Sequence, residues 1–270
     1  MFTAGSKYEN LCREIAGYGK VMVAYSGGVD STLLLRAALD CLGRDKVLAV
    51  TCKSQLTHEL DLEAARQYTL SMGAEHRLIE IDKLENENIA ANPPNRCYYC
   101  KLQLYTLLEQ LARQEGYSAV IEGSNVSDLD DYRPGFEALK QFELVKSPLL
   151  SAGLDKSEIR ELARSLGLNN WNRPSNACLA SRFPYEERLT VEKLAAVSQA
   201  ETGLTAMGLT GVRVRHHGSV ARIELPSEEI PRIMEPAIRA AVSQTVKKCG
   251  FTYVSLDLDG YRTGSLNEGL

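Results

Sequence analysis

Three groups of side chains have types and spacings suited to chemistry. The first is a pair of thiols, Cys97 and Cys100, just after the turn Asn92-Pro93-Pro94-Asn95, with a third thiol, Cys178, in a loop rich in turn formers at 171–185. Two cysteines at i and i+3 on a first helical turn face the same way. A helix N-terminus flanked by Arg96 and Lys101 favours their thiolates. They could form a redox disulfide, although no thioredoxin-like context surrounds them. They could hold zinc, which normally takes four protein ligands. Three thiolates also suit an iron–sulfur cluster that keeps one iron open to an outside ligand. The second group is Ser26-Gly27-Gly28-Val29-Asp30-Ser31. It follows the apolar run Val21–Ala24 and opens an apolar helical run that ends at Leu42. A strand, a glycine turn and a helix N-terminus make an anion site, with backbone N–H groups and the helix dipole directed outward. Glycines let the backbone approach a phosphate, and Ser26 and Ser31 add hydroxyl donors. The third group is Arg213 and Arg215, which alternate on a strand and so share a face. Two guanidinium groups on one face form a fork for phosphate or carboxylate, to which His216 and Arg222 could add. The plain alternative is a solvated, charged strand face.

Periodicity predicts strands at 47–52, 76–81, 119–125 and 145–149, and helices at 7–17, 59–72, 98–115 and 155–166. Asp155 with Glu158 forms a capping box for the last of these. Alternating strands and helices with short connections predict an α/β fold with a doubly wound parallel sheet. Such sheets bind ligands outside the C-terminal ends of their strands, where Ser26 and Lys53 fall. Gly123 and Asn125 stand in the turn that ends the fourth strand. The acidic loop at 128–131 is a candidate for Mg²⁺ or ribose contacts, and Lys101 could reach phosphates. Beyond Tyr185 the pattern changes to a helix at 190–203, a hairpin (211–215 and 219–225, turned at 216–218), a helix at 228–248 interrupted by Pro231 and Pro236, and a strand at 251–258. The expected division is residues 1–185 and then a small α+β domain at 186–270.

The 270 residues carry a formal net charge of −4, which disfavours a large electrostatic footprint for nucleic acid. No run is long and apolar enough to span a membrane, and the N-terminus lacks the apolar core of a signal peptide, so a cytoplasmic location is expected. Seven cysteines, an odd count, argue against a disulfide framework. Cys12, Cys41, Cys52 and Cys249 read as small buried hydrophobes, and His58 and His76 as ordinary surface residues.

The 26–31 stretch resembles the PP-loop, SGGxDS, of the ATP pyrophosphatase superfamily, and differs from the Walker A and dinucleotide-binding patterns. EGSNVSD at 122–128, DYRPG at 131–135, NRPSNACLASRFPY at 172–185, VRVRHHG at 212–218 and DLDGYRTGS at 257–265 follow in order. Together they resemble the LarE family, the ATP-dependent sulfur transferases of nickel-pincer nucleotide cofactor synthesis, over essentially the whole chain. The resemblance implies a PP-loop (HUP-like) domain and a two-stage reaction. ATP adenylates a carboxylate of pyridinium-3,5-biscarboxylic acid mononucleotide, and sulfur then displaces AMP. It implies that Ser26, Gly27, Gly28, Asp30 and Ser31 hold ATP phosphates and Mg²⁺, that Lys53, Gly123 and Asn125 contact AMP, and that Asp128 and Arg133 lie near the adenylate. Arg213 and Arg215 then bind the substrate phosphate, and Ser181 and Arg182 orient its carboxylate. Cys178 matches the sulfur-donating cysteine of single-cysteine members, where it is consumed. The presence of Cys97 and Cys100 is similar instead to members whose three thiols hold a 4Fe-4S cluster that carries the sulfide. The family tends to form trimers and hexamers. A tRNA thiolase of the same superfamily is the nearest rival, disfavoured by the acidic balance.

Overall fold

The structure is a computed structural model that describes residues 4–130, 135–173 and 177–262. In chain order its elements are α1 (Ala4–Tyr18), β1 (Val21–Ala24), α2 (Val29–Leu42), β2 (Val47–Lys53), α3 (Glu59–Met72), β3 (Glu75–Glu80), α4 (Glu87–Ala90), α5 (Arg96–Glu115), β4 (Ala119–Ile121), α6 (Gly135–Leu139), β5 (Val145–Lys146), α7 (Pro148–Ser151), α8 (Lys156–Ser165), α9 (Val191–Ala206), β6 (Arg213–His217), β7 (Val220–Glu224), α10 (Ile230–Ile233), α11 (Pro236–Lys248) and β8 (Tyr253–Leu256). They group into two compact units, one of residues 1–54, 60–81 and 95–176, the other of 55–59, 82–94 and 177–270. Among the described residues no helix is long and apolar enough to cross a membrane.

The first unit contains the expected parallel sheet, in the order β3-β2-β1-β4-β5. Val21 of β1 lies between Val47 of β2 and Ala119 of β4. Side chains alternate across a strand, and both faces here are covered. Val21, Val23, Val47 and Ala49 join one core with α1, α2 and α8. Met22, Leu48, Val50 and Val120 join a second with Tyr105, Leu108 and Ala112 of α5. Strands buried on both faces read as unbroken apolar runs, which is why β1 and β2 are plain in the sequence. Leu33, Leu34 and Leu35 of α2 are all fully buried, as expected for a helix with a wide apolar face, while Arg36 and Asp40 pair on its remaining side. The capping box of α8 is present, with Glu158 N donating to Asp155 Oδ1 and Asp155 N to Glu158 Oε2. The strand expected at 145–149 is shorter, because Pro148 opens α7. Proline's fixed φ and missing N–H suit a helix's first turn.

The second unit holds a mixed sheet, β6-β7-β8, with β7 antiparallel to β6 and parallel to β8. The hairpin turn falls at Gly218 and Ser219, later than expected, with Gly218 at φ +63°. The segments 55–59 and 82–94 belong to this unit through backbone bonds: Leu179 N to Leu56 O (3.0 Å), Glu186 N to Asn92 O (3.0 Å) and Leu189 N to Ala90 O (2.7 Å).

Candidate active site

In the sheet order 3-2-1-4-5, chain connections leave in opposite directions on either side of β1 and β4, which opens a ligand crevice at their C-terminal ends. Two segments flank it: the 26–31 loop after β1 and the Gly123-Ser124-Asn125 turn after β4. Gly27 has φ +75°, and a Cβ there would lie 3.2 Å from Ala65 N, Cα and Cβ. Only glycine fits. The serines brace the turn: Ser26 Oγ and Ser31 Oγ are 3.1 Å apart, Gly28 N donates to Ser26 Oγ (3.3 Å), and Ser31 Oγ donates to Gly28 O (3.1 Å). Asp30 is ion-paired to Lys156 through Oδ2, and its buried Oδ1 has no hydrogen-bond partner among the described residues. Gly123 packs on the loop, its missing Cβ 3.3 Å from Asp30 Cβ and Ser31 N. Asn125 is buried, and its Oδ1 likewise has no partner among the described residues. Oxygen acceptors without donors beside an anion-binding loop suit a hard cation with retained waters. Asp128 Oδ2 accepts from Asn125 N (3.0 Å) and so holds this turn. Lys53, at the end of β2, lies 3.7 Å from Glu80 Oε1. Arg133 lies outside the described residues, as do 131, 132, 134 and 174–176.

Lys101 and the thiol pair occupy the start of α5. Cys97 is exposed and Cys100 half-buried, one helical turn apart, and the Arg96 Nη2 to Cys97 Sγ distance is 4.0 Å. Thiolates here are soft donors of the kind iron and zinc prefer. Among the described residues, no group of three or more His, Cys, Asp or Glu side chains stands together as a metal site. Glu122, which is 4% exposed, ties this helix to the strand ends. Its carboxylate accepts from Ser124 N (3.1 Å), Ser124 Oγ (2.8 Å) and Ser147 Oγ (2.5 Å), with Lys101 Nζ at 3.7 Å.

In the second unit the remaining candidates converge. Cys178 is exposed at the start of a single 3₁₀ turn, Leu179–Arg182. Its carbonyl accepts from Ser181 N (3.0 Å), Ser181 Oγ (2.8 Å) and Arg182 Nη1 (3.3 Å). Arg182 is 1% exposed and forks onto Glu201, with Nε to Oε1 at 2.9 Å and Nη2 to Oε2 at 3.1 Å. Glu201 also accepts from Val214 N (2.9 Å). Arg215 donates to Ser181 O (2.6 Å) and to Glu224 Oε2 (2.7 Å). Arg213 donates to Val212 O (2.8 Å) and lies 5.3 Å from the Tyr261 ring centroid. Burial, and next the positive charge of Arg182, press the pKa of Arg213 below the usual guanidinium range. A bound anion would relieve that cost.

Several expectations need correction. His58 is buried, with Nε2 3.6 Å from Glu201 Oε2. His76 is half-buried, its ring nitrogens 2.8 Å from Thr51 Oγ1 and 3.1 Å from Thr69 Oγ1. His216 cannot join the arginine fork, because adjacent strand residues point to opposite faces; it stacks on Phe183 at 4.9 Å. Arg222, by contrast, stands directly opposite Arg215 in the sheet register, where it is ion-paired to Asp257 and Glu224. Other site residues escaped the sequence reading. Asn170 Nδ2 donates to Gly27 O (3.1 Å) and Thr32 Oγ1 (2.8 Å), and Arg173 bridges Gly27 O (3.4 Å) to Asp61 (2.7 Å). One signal was available for Glu201. It sits with Leu194, Val197 and Leu204 on an i, i+3, i+7, i+10 stripe of α9, where a carboxylate requires a buried partner.

A glycine turn at the switch point of a 3-2-1-4-5 parallel sheet, followed by a buried helix, defines the class as PP-loop nucleotide-binding enzymes. Residues 10–92 match the NAD synthase family model. Over 265 residues the chain is 43% identical to an uncharacterized protein of Synechocystis, with 98% of each chain covered. Over 270 residues it is 38% identical to the pyridinium-3,5-bisthiocarboxylic acid mononucleotide synthase of Lactiplantibacillus plantarum, covering 100% of this chain and 97% of that one. An uncharacterized protein of Methanocaldococcus jannaschii is 30% identical over 261 residues, covering 95% and 96%. The chain belongs to the LarE family of ATP-dependent sulfurtransferases.

Proposed function

We propose that this enzyme converts a carboxylate of pyridinium-3,5-biscarboxylic acid mononucleotide to a thiocarboxylate at the expense of ATP. The loop N–H groups, the Ser26 and Ser31 hydroxyls and the α2 dipole hold the departing phosphates. Asp30 and Asn125 offer oxygen ligands to Mg²⁺, which would neutralise the phosphate charge. Lys53, Gly123, Asn125 and Asp128 border the AMP portion. The substrate carboxylate oxygen attacks the α-phosphorus and pyrophosphate leaves. A sulfur nucleophile then adds at the acyl carbon and AMP departs, a far better leaving group than oxide. Arg213 and Arg215 bind the mononucleotide phosphate. Arg182 and Ser181 fix the turn that presents Cys178. Cys97, Cys100 and Cys178 would hold a 4Fe-4S cluster, which when bound supplies an open iron able to carry an exogenous sulfide. The observation that carries this reading is the 3₁₀ turn Leu179–Arg182, which follows an exposed thiol and rests on a support shared by Arg182 and Arg215.

The test follows pyrophosphate release with the pyridinium biscarboxylate, ATP and sulfide, with mass spectrometry of both small molecule and protein. Thiocarboxylate product with an intact Cys178 supports the reading. Conversion of Cys178 to dehydroalanine as its main fate would replace the cluster with a sacrificial route. Anaerobically purified protein should contain about four iron and four labile sulfide per chain, and Cys97→Ser with Cys100→Ser should lose both. Robust multiple turnover without iron would sink the cluster assignment.

Arg213→Ala tests the substrate subsite. A charge-assisted contact contributes roughly 1.5–3 kcal/mol, so KM for the mononucleotide should rise about 10- to 100-fold while KM for ATP stays within about twofold. Equal loss for both substrates would count against the assignment.

A further inference from the structure

The Asn170 side chain is 1% exposed, and its two ends are treated unequally. Nδ2 directs both of its hydrogens into the fold, to Gly27 O (3.1 Å) and to Thr32 Oγ1 (2.8 Å). Oδ1 is buried with no hydrogen-bond partner among the described residues. Turning the amide round would not help, because Oδ1 would then face the Gly27 carbonyl, acceptor against acceptor. A buried acceptor left unpaired is costly, and a fold that keeps one calls for a reason. The reason lies in what Nδ2 holds. Arg173 Nη1 reaches the same Gly27 O only at 3.4 Å, while its Nη2 is drawn to Asp61 Oδ1 (2.7 Å). Asn170 is therefore the shorter and better buried of the two donors to that carbonyl.

We propose that Asn170 is a positioning residue that locks the peptide between Gly27 and Gly28 so that its N–H, and not its carbonyl, meets a phosphate. The proposal rests on the 26–31 loop as a phosphate site and is independent of the second substrate. In a trans peptide the C=O and the N–H point in opposite directions. Gly27 O points inward to Asn170, and Gly28 N faces the exposed residue Ser26, 3.3 Å from its Oγ. Turning this peptide plane over changes chiefly Gly27 ψ and Gly28 φ, and glycine tolerates nearly any value of either. No other peptide of the 26–31 loop lies between two glycines. The next peptide is already held by the helix, since Gly28 O accepts from Thr32 N (3.0 Å). The glycines that let the chain approach a phosphate thus also let this one peptide turn over, and a flipped Gly27 carbonyl would repel the anion that the N–H attracts. Flipping breaks the bond to Asn170 and strands a buried N–H, so the flipped form is disfavoured before any ligand arrives. A donor fixed in advance needs no reorganisation when charge arrives. The second bond, to Thr32 Oγ1, sets the plane of the carboxamide from the start of α2.

Asn170→Leu keeps most of the volume, removes both donors and discards the unpaired Oδ1, so it should melt within a few degrees of wild type. Binding of ATP with Mg²⁺ to the intact protein is read by calorimetry, and binding of inorganic pyrophosphate by competition against ATP. Both Kd values should rise at least about fivefold in Asn170→Leu, because both ligands seat phosphates on the loop. Asn170→Ala, which also lacks a donor, should weaken both ligands in the same way and carries the test if the leucine variant does not fold. Thr32→Val removes the other acceptor of the carboxamide but leaves Gly27 O bonded, and should keep both Kd values within about twofold. A merely structural role for Asn170 predicts the reverse pattern, with Thr32→Val and Asn170→Leu losing affinity alike and in step with their melting temperatures. The proposal is overturned if a folded variant without the donor binds ATP less than about fivefold more weakly than wild type. It is equally overturned if ATP weakens and pyrophosphate does not, or if Thr32→Val costs as much as Asn170→Leu. Wild-type protein that binds ATP but yields no thiocarboxylate would sink the reaction proposed above and leave this role of Asn170 standing.

Discussion

Arg182→Ala should cost about 3–5 kcal/mol of stability, read as a fall in the denaturant midpoint of the unfolding transition. The cost is not the value of the ion pair as such. Arg182 and Glu201 are 1% and 3% exposed, so removing the guanidinium leaves a buried carboxylate without its bidentate counter-charge, next to Val214 N and His58. A buried charge without its counter-charge is expensive, whereas two well-packed apolar side chains in place of the pair can be nearly neutral. The double variant Arg182→Met with Glu201→Leu should therefore recover most of the lost stability. It should not recover product formation, because Arg182 Nη1 also donates to Ala177 O (2.6 Å) and Ser181 Oγ (3.0 Å), and so shapes the turn that carries Cys178. A single variant that loses less than about 1 kcal/mol would show that the pair merely offsets its own desolvation. A double variant with full activity would remove Arg182 from the positioning of Cys178.

The pair also marks where the sequence stops being legible. Strand β1 and the first four residues of β2 are apolar runs, and α2 is apolar on all but its Arg36–Asp40 side, so the parallel sheet and its loop can be read directly from residue order. The doubly wound topology then places 26–31 and 123–125 at one crevice without further information. What residue order does not carry is the partner of a charged group. Arg182 and Arg213 look alike in sequence, yet one forks onto a carboxylate nineteen positions away while the other rests on its neighbour's carbonyl and a tyrosine ring. His58 looks like a surface residue because it follows a polar turn. It is buried because residues 55–59 pack in the second unit, whose other segments lie far along the chain. Asn170 and Arg173 were invisible for the same reason, since their contact with Gly27 spans more than 140 positions. Lys156 reads as an ordinary first-turn lysine of α8, and only the fold brings it to Asp30.

Gly27→Ala should lower kcat/KM for ATP-dependent pyrophosphate release by at least about 100-fold, and Gly28→Ala by no more than about tenfold. The two glycines are adjacent, belong to one motif and are indistinguishable by residue type, but their geometry differs. Gly27 has φ +75°, where a side chain costs roughly 1–2 kcal/mol, and its Cβ would stand 3.2 Å from three atoms of Ala65, two of them backbone. That backbone belongs to α3 and cannot step aside cheaply, and Gly27 O is fixed by Asn170 and Arg173. The loop must therefore move, and every N–H donor aimed at phosphate moves with it. A displacement of about 1 Å in a positioned site is enough for a hundredfold loss. Gly28 has φ −72°, a value any residue adopts, and a Cβ there would meet only Ser26 Oγ at 3.3 Å, the end of an exposed side chain that can rotate. Steady-state pyrophosphate assays on the two variants, with a thermal melt on each to show that both fold, decide the matter. Equal losses at both positions would mean that the loop needs glycine for flexibility rather than for the left-handed turn and close approach at Gly27.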